Sequence, residues 1–152
     1  MTYEAERLPE SEEEPMNDKI KNLLKAAVQA QKFSHSPYSH FKVGAALLTV
    51  DDEVIIGTNI ENASYGATIC AERTAIVKAV SEGCTEFTDI VIVTDSKLAC
   101  PPCGQCLQVM AEFFSKDTRV WLGSPKKILK EFKFNDLLPV RFGAKDLKRN
   151  ER

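Results

Sequence analysis

The sequence predicts an α/β fold in which a central mixed β-sheet carries helices on both faces. Three observations predict it. Helical and β-rich segments alternate in the order helix–β–β–helix–β–helix–β–(β)–helix, which favours a sheet covered on two sides. The 152 residues fit one domain large enough to bury a core without staples, with no internal repeat. The apolar and charged fractions, 43% and 28%, are those of an ordinary soluble globular chain.

Each element has its own signal. Residues 1–16 hold Glu4, Glu6, Glu10, Glu12, Glu13 and Glu14 against Arg7, with Pro9 and Pro15 and no apolar period. They predict a disordered acidic extension, leaving a folded domain over 17–148. Asn17 caps a first helix in which Ile20, Leu23, Leu24, Ala27, Val28 and Gln31 keep amphipathic spacing, ending near Phe33. Ser36-Pro37-Tyr38-Ser39 breaks it. Residues 43–50 and 54–60 are β-rich runs joined at Asp51-Asp52, the pattern of a hairpin. A helix follows over 70–81, closed by Gly83, then a short buried strand over 90–94. Residues 103–114 predict a third helix, 119–122 a strand and 130–134 a candidate fifth strand. Residues 135–138 begin a last helical turn, and Gly143 precedes a short C-terminal segment. The strand after each helix is expected to run parallel to the strand before it.

Charge narrows the function classes. A net charge of −2 and a pI near 5.8 argue against a dedicated nucleic-acid binder, which would show a basic stripe. The one Lys/Arg cluster, over 145–152, reads as a solvated tail. No run is long and apolar enough to span a membrane, and residues 1–16 lack the apolar core of a signal peptide. Five cysteines, an odd number, point to a reducing compartment, the cytosol by default, and to metal chemistry over disulfides.

The chemistry gathers at Cys70-Ala71-Glu72 and Pro102-Cys103-Gly104-Gln105-Cys106. Cys70 and Cys103 each open a predicted helix, where unpaired N–H groups and the positive end of the dipole favour thiolate. Cys106 lies one turn after Cys103 on the same face, so its sulfur can share an ion with that of Cys103. Three thiolates leave tetrahedral zinc one open position, where a water can be activated. Glu72 sits to the side of Cys70, near the metal without coordinating it, and suits proton transfer. Arg73 is expected to hydrogen-bond ligand sulfurs and withdraw charge from a zinc that three thiolates make formally negative. A Cys₃ zinc site with a non-coordinating Glu is the pattern of nucleobase deaminases. Cys100 repeats the three-residue spacing, and a fourth thiolate would close the site and make it structural. Pro101-Pro102 is expected to hold Cys100 off the helix. Cys84, His35 and His40 have no ligand-like spacing to the set.

From residue 36 to 147 the chain resembles the small homotetrameric, zinc-dependent cytidine deaminases of pyrimidine salvage. Ser36-Pro37-Tyr38-Ser39-His40-Phe41-Lys42-Val43-Gly44-Ala45-Ala46 is similar to that family's first loop and strand. Asn59-Ile60-Glu61-Asn62-Ala63-Ser64-Tyr65 is similar to its ribose-binding stretch, and Leu137-Leu138-Pro139 with Phe142-Gly143 to its C-terminal signature. The resemblance implies a three-layer α/β/α sandwich with a five-stranded mixed sheet, and one Zn2+ per subunit. It implies hydrolysis of cytidine and 2′-deoxycytidine to their uridine counterparts with release of ammonia. Asn59 and Glu61 would bind the ribose 3′-hydroxyl, and Phe41 would pack against the pyrimidine. Phe142, Tyr65 and the Ala63 backbone would serve a site across a subunit boundary. Two positions depart from the family: Leu107 stands where an Arg is usual, and Pro101 where a Ser is frequent. Competing readings are deamination of cytosine within nucleic acid, deamination of a nucleoside antibiotic, and a zinc-stabilised binding module with four protein ligands.

Overall fold

In a computed structural model, described over residues 17–147, the elements are α1 (Asp18–Gln31), β1 (Val43–Thr49), β2 (Val54–Thr58), α2 (Ala71–Ser81), β3 (Phe87–Thr94), α3 (Gly104–Phe113), β4 (Arg119–Gly123), β5 (Ile128–Lys133) and α4 (Phe134–Leu137). Single 3-10 turns occupy Tyr65–Ala67 and Ala144–Leu147. The acidic extension over 1–16 and the end of the basic cluster lie outside the described residues.

The five strands form one mixed sheet in the order β2-β1-β3-β4-β5. β1 is antiparallel to both β2 and β3, β3 is parallel to β4, and β4 is antiparallel to β5. The connection through α2 therefore returns β3 parallel to β2 but one strand further on, with β1 between them.

Strand alternation divides the core into two layers. Ala46 and Leu48 of β1 and Val91 and Val93 of β3 pack under Ile20, Leu23, Leu24 and Ala27 of α1. Their neighbours Ala45, Leu47, Ile90 and Ile92 face the other way, with Val120 and Leu122, against Ala71, Ala75, Ile76 and Ala79 of α2 and Cys106 and Met110 of α3. Helix, sheet and helix pair thus form three layers.

Two glycines set how closely the helices approach. A Cβ on Gly44 would lie 2.0 Å from the Ala27 carbonyl oxygen of α1, and one on Gly57 would lie 2.4 Å from the Ala75 nitrogen of α2. Only glycine admits that contact, so Gly57 fixes the seat of the helix whose first turn carries Glu72.

Several boundaries moved. β2 stops at Thr58 instead of residue 60, because Ile60 leaves the sheet and bridges His35 and Ile69. β3 starts three residues earlier than expected, at Phe87, with polar Asp89 kept in the strand by Trp121 Nε1 at 2.8 Å and Arg119 Nε at 3.3 Å. β5 is two residues earlier than its apolar run suggested, and Phe134 begins α4. No helix among the described residues is long and apolar enough to cross a membrane.

Candidate active site

α2 and α3 lie side by side on one face of the sheet, and their first turns meet where the cysteines stand. Cys70 (φ −74°, ψ 156°) and Cys103 (φ −70°, ψ 166°) are extended residues at the N-cap positions, one residue before each helix. Cys70 is held there because the Ile60–Ile69 bridge fixes the strand-like approach. The approach to Cys103 is extended as well, because Pro101 and Pro102 each disfavour helical backbone in the residue before them. Neither thiol caps its own helix, so both are free to meet a common ligand.

The Sγ atoms of Cys70, Cys103 and Cys106 all lie within 4.8 Å of one another. Cys70 and Cys103 are 3.8 Å apart, and Cys103 and Cys106 3.5 Å. A tetrahedral ion with metal–sulfur bonds of about 2.3 Å requires sulfurs about 3.8 Å apart. The two measured separations are close to that value, and the donor set fits one zinc. Cys84, Cys100, His35 and His40 are not in the cluster.

Electrostatics around the sulfurs are uneven. The Cys70 thiol is pulled down to about 5, chiefly by the hydrogen bond from Cys106 and then by those from Arg73 and Cys103, against the opposing effect of burial. Cys106, fully buried, is pushed up by that same hydrogen bond and by burial. One proton is thus held between them, and a metal would displace it. Arg73 donates from Nη2 to Cys70 Sγ at 3.7 Å and to the Thr68 carbonyl at 3.4 Å, while its Nε is buried with no partner among the described residues.

Glu72 is 5% exposed, in the first turn of α2 on the side continued by Ile76. Burial chiefly, with the negative charge of Cys70, raises its carboxyl to about 7 against a backbone hydrogen bond and Arg73. A carboxyl balanced near neutrality beside three sulfurs can both take and give a proton.

The remaining predicted residues lie in the segments before β1, after β2 and after α4. Asn59 is buried, its Oδ1 accepting from Ser34 Oγ at 2.5 Å and Val43 N at 2.9 Å, its Nδ2 donating to the Phe41 carbonyl at 2.8 Å. Glu61 accepts from the backbone N–H of Tyr38 and Ser39 at 2.9 and 3.2 Å and from the Ser39 hydroxyl. That hydroxyl, above all, holds its carboxyl below the usual carboxylate range. Phe41 is 42% exposed and precedes β1, so it is not a core strand residue of this chain. Ala63, Tyr65 and Phe142 are exposed as well, Tyr65 at 77% and edge-on to Tyr38 with ring centres 6.2 Å apart. The Phe142 carbonyl accepts from Gln108 Nε2 at 3.1 Å, which ties the C-terminal segment to α3.

Residues 17–123 match the family described as cytidine and deoxycytidylate deaminase zinc-binding region. The chain belongs to this deaminase family. It is 52% identical over 125 residues to a cytidine deaminase of Halalkalibacterium halodurans, covering 82% of this chain and 95% of that one. It is 44% identical over 131 residues to a probable cytidine deaminase of Dictyostelium discoideum, covering 86% and 88%. Among solved structures, the cytidine deaminase of Burkholderia pseudomallei superposes with a TM-score of 0.77 at 41% identity, covering 80% of this chain and 98% of that one. That of Mycobacterium tuberculosis gives 0.70 at 34%, covering 82% and 98%.

Within this deaminase site the sequence reading missed Ser34, Ser39 and Thr68. Ser39 bonds Glu61 and also accepts from Phe41 N at 3.0 Å, so it joins the two. Its place two residues before Phe41, in a Pro-Tyr turn, is the signal that could have exposed it. Ser34 reaches Asn59 across the fold and Thr68 accepts from Arg73 and Asn62 nearby, and no spacing announces either. Leu107 packs against the core beside the sulfurs and brings no charge.

Proposed function

We propose that this chain is a zinc-dependent hydrolase that deaminates cytidine and 2′-deoxycytidine to uridine and 2′-deoxyuridine, releasing ammonia. The observation that carries the reading is three sulfurs within 4.8 Å of one another beside the buried Glu72. When bound, a zinc ion with one open position supplies a water acidified to near neutrality. Glu72 takes the proton of the attacking water and passes it to the ring nitrogen, then takes the proton of the new C4 hydroxyl and gives it to the departing amine, which leaves as ammonia. Its near-neutral carboxyl suits both directions. Arg73 offsets thiolate charge through Cys70, which matters more because Leu107 is apolar.

Asn59 and Glu61 hold the ribose 3′-hydroxyl, the amide as donor and the carboxylate as acceptor. The ionised Glu61 also repels a 3′-phosphate, so a free nucleoside is favoured over a polynucleotide. Phe41 lies against the pyrimidine. The exposure of Phe142, Tyr65 and Ala63 is consistent with a homotetramer in which they complete a neighbour's site, in a cytoplasmic enzyme with one zinc per subunit. Residues 1–16 act as a solubilising extension.

The test is a spectrophotometric assay of purified protein with cytidine, beside Glu72→Gln. Loss of the cytosine absorbance by wild type, with the variant reduced by about 10²- to 10⁴-fold, is expected. Wild type that binds zinc but leaves cytidine untouched would overturn the proposal.

A further inference from the structure

We infer that Ser34 is a positioning residue for nucleoside binding, acting by fixing the amide of Asn59. This deepens the proposed role of Asn59 as a ribose ligand and rests on it.

The direction of each hydrogen bond follows from the chemistry. Asn59 Oδ1 can only accept, so the 2.5 Å contact must be donated by the Ser34 hydroxyl. That spends the one hydroxyl proton of Ser34. Ser36 Oγ, itself buried, stands at 3.2 Å as a second and more distant acceptor for that same proton. The shorter contact, to Asn59, takes the proton. With Val43 N–H at 2.9 Å, Oδ1 then has both lone pairs filled. A flipped amide would set N–H groups against these donors. Nδ2 gives one proton to the Phe41 carbonyl at 2.8 Å, which leaves one for a ligand.

Val43 and Phe41 hold the two ends of the amide from β1 and its approach. Ser34 holds it from the segment leaving α1, a separate direction that stops the amide swinging about its bond to Cβ. That segment is itself pinned, with His35 N bonded to the Asn59 carbonyl at 3.1 Å and Glu61 N to the His35 carbonyl at 2.7 Å. The hydroxyl is thus presented by rigid backbone, as positioning requires. Ser34 is partly exposed, so removing its oxygen leaves no large cavity.

The experiment compares wild type, Ser34→Ala, Ser34→Thr, Asn59→Ala and the Ser34→Ala/Asn59→Ala double variant, each with cytidine and 3′-deoxycytidine. Zinc content and melting temperature of each verify folding. Ser34→Ala is expected to raise KM for cytidine about tenfold, the effect of one well-formed hydrogen bond, with kcat within about twofold. With 3′-deoxycytidine the increase falls below about twofold, Ser34→Thr restores cytidine KM, and the double variant is no worse than Asn59→Ala. If Ser34→Ala impairs both substrates equally while Asn59→Ala still discriminates between them, the positioning role is wrong and the Asn59 reading stands. If Asn59→Ala fails to discriminate, the ribose reading falls and the inference falls with it.

Discussion

At the scale of single residues, ionisation decides behaviour. In zinc-stripped protein Cys70 carries thiolate down to about 5, whereas Cys106 keeps its proton. Mild alkylation at pH 6–7 is therefore expected to label Cys70 ahead of Cys106, and added zinc to suppress the labelling; mass spectrometry of the peptides reads both. Equal labelling of the two would contradict the arrangement. Glu72 makes an independent prediction. Its carboxyl is raised to about 7 from an ordinary 4.5, so the folded metal-free state holds a proton that the unfolded chain has released between those values. The associated stability is present below 4.5 and is lost as pH rises through 7. The Cys70 thiolate acts in the opposite sense over an overlapping range, so the quantity to measure is a difference. Glu72→Gln is expected to gain on wild type by about 3 kcal/mol between pH 4.5 and 7.5 in the metal-free state. Denaturant titrations at several pH values check this. The CxE and PCxxC spacings made the sulfurs and Glu72 legible without structure. Glu61's grip on Ser39 and the full use of Asn59's oxygen were not legible, because those partners lie 16 to 25 residues away.

At the scale of elements, the site depends on where α2 rests. Ala71, Ala75 and Ala79 form a stripe of small residues against β2, and Gly57 receives it. A methyl at Gly57 would meet the Ala71 carbonyl at 2.5 Å, backbone that cannot yield without moving the helix. Gly57→Ala is expected to cost about 3 kcal/mol or more and to weaken zinc retention and turnover together, because Cys70 and Glu72 travel with α2. Gly66→Ala, with nothing within 4 Å of the added methyl, is the control and is expected to retain both. Calorimetry with zinc analysis separates the two outcomes. Helices read well from sequence because their caps and periods are local: Asn17 does accept from Lys19 N at 3.1 Å, as its type predicted. Strand ends read less well. β2 ends where Ile60 finds partners in His35 and Ile69, and β3 extends because Asp89 meets Trp121 and Arg119, and of these contacts all but Ile60–Ile69 join segments distant in sequence.

At the scale of the molecule, the order of helices and strands was sufficient to foresee a mixed sheet between helix layers. It did not give the strand order, since the jump of β3 over β1 follows from which faces can be covered, not from any local run. The proposed assembly rests on resemblance alone. Nothing in the composition marks Phe142 or Tyr65 as interface residues, although their exposure of 57% and 77% is high for aromatic side chains. Sedimentation is expected to give four times the 16.9 kDa chain mass. Phe142→Ala is expected to lower kcat/KM about tenfold or more with zinc retained, as loss of a stacked aromatic would. A fully active monomer would contradict the shared site.

The central claim is that three thiolates hold the zinc and leave one corner to water beside Glu72. X-ray absorption at the zinc edge of the purified enzyme tests it most directly. Three sulfur neighbours near about 2.3 Å and one oxygen near about 2.0 Å are predicted. Four sulfurs, which would bring Cys100 into the shell and close the metal, would contradict it.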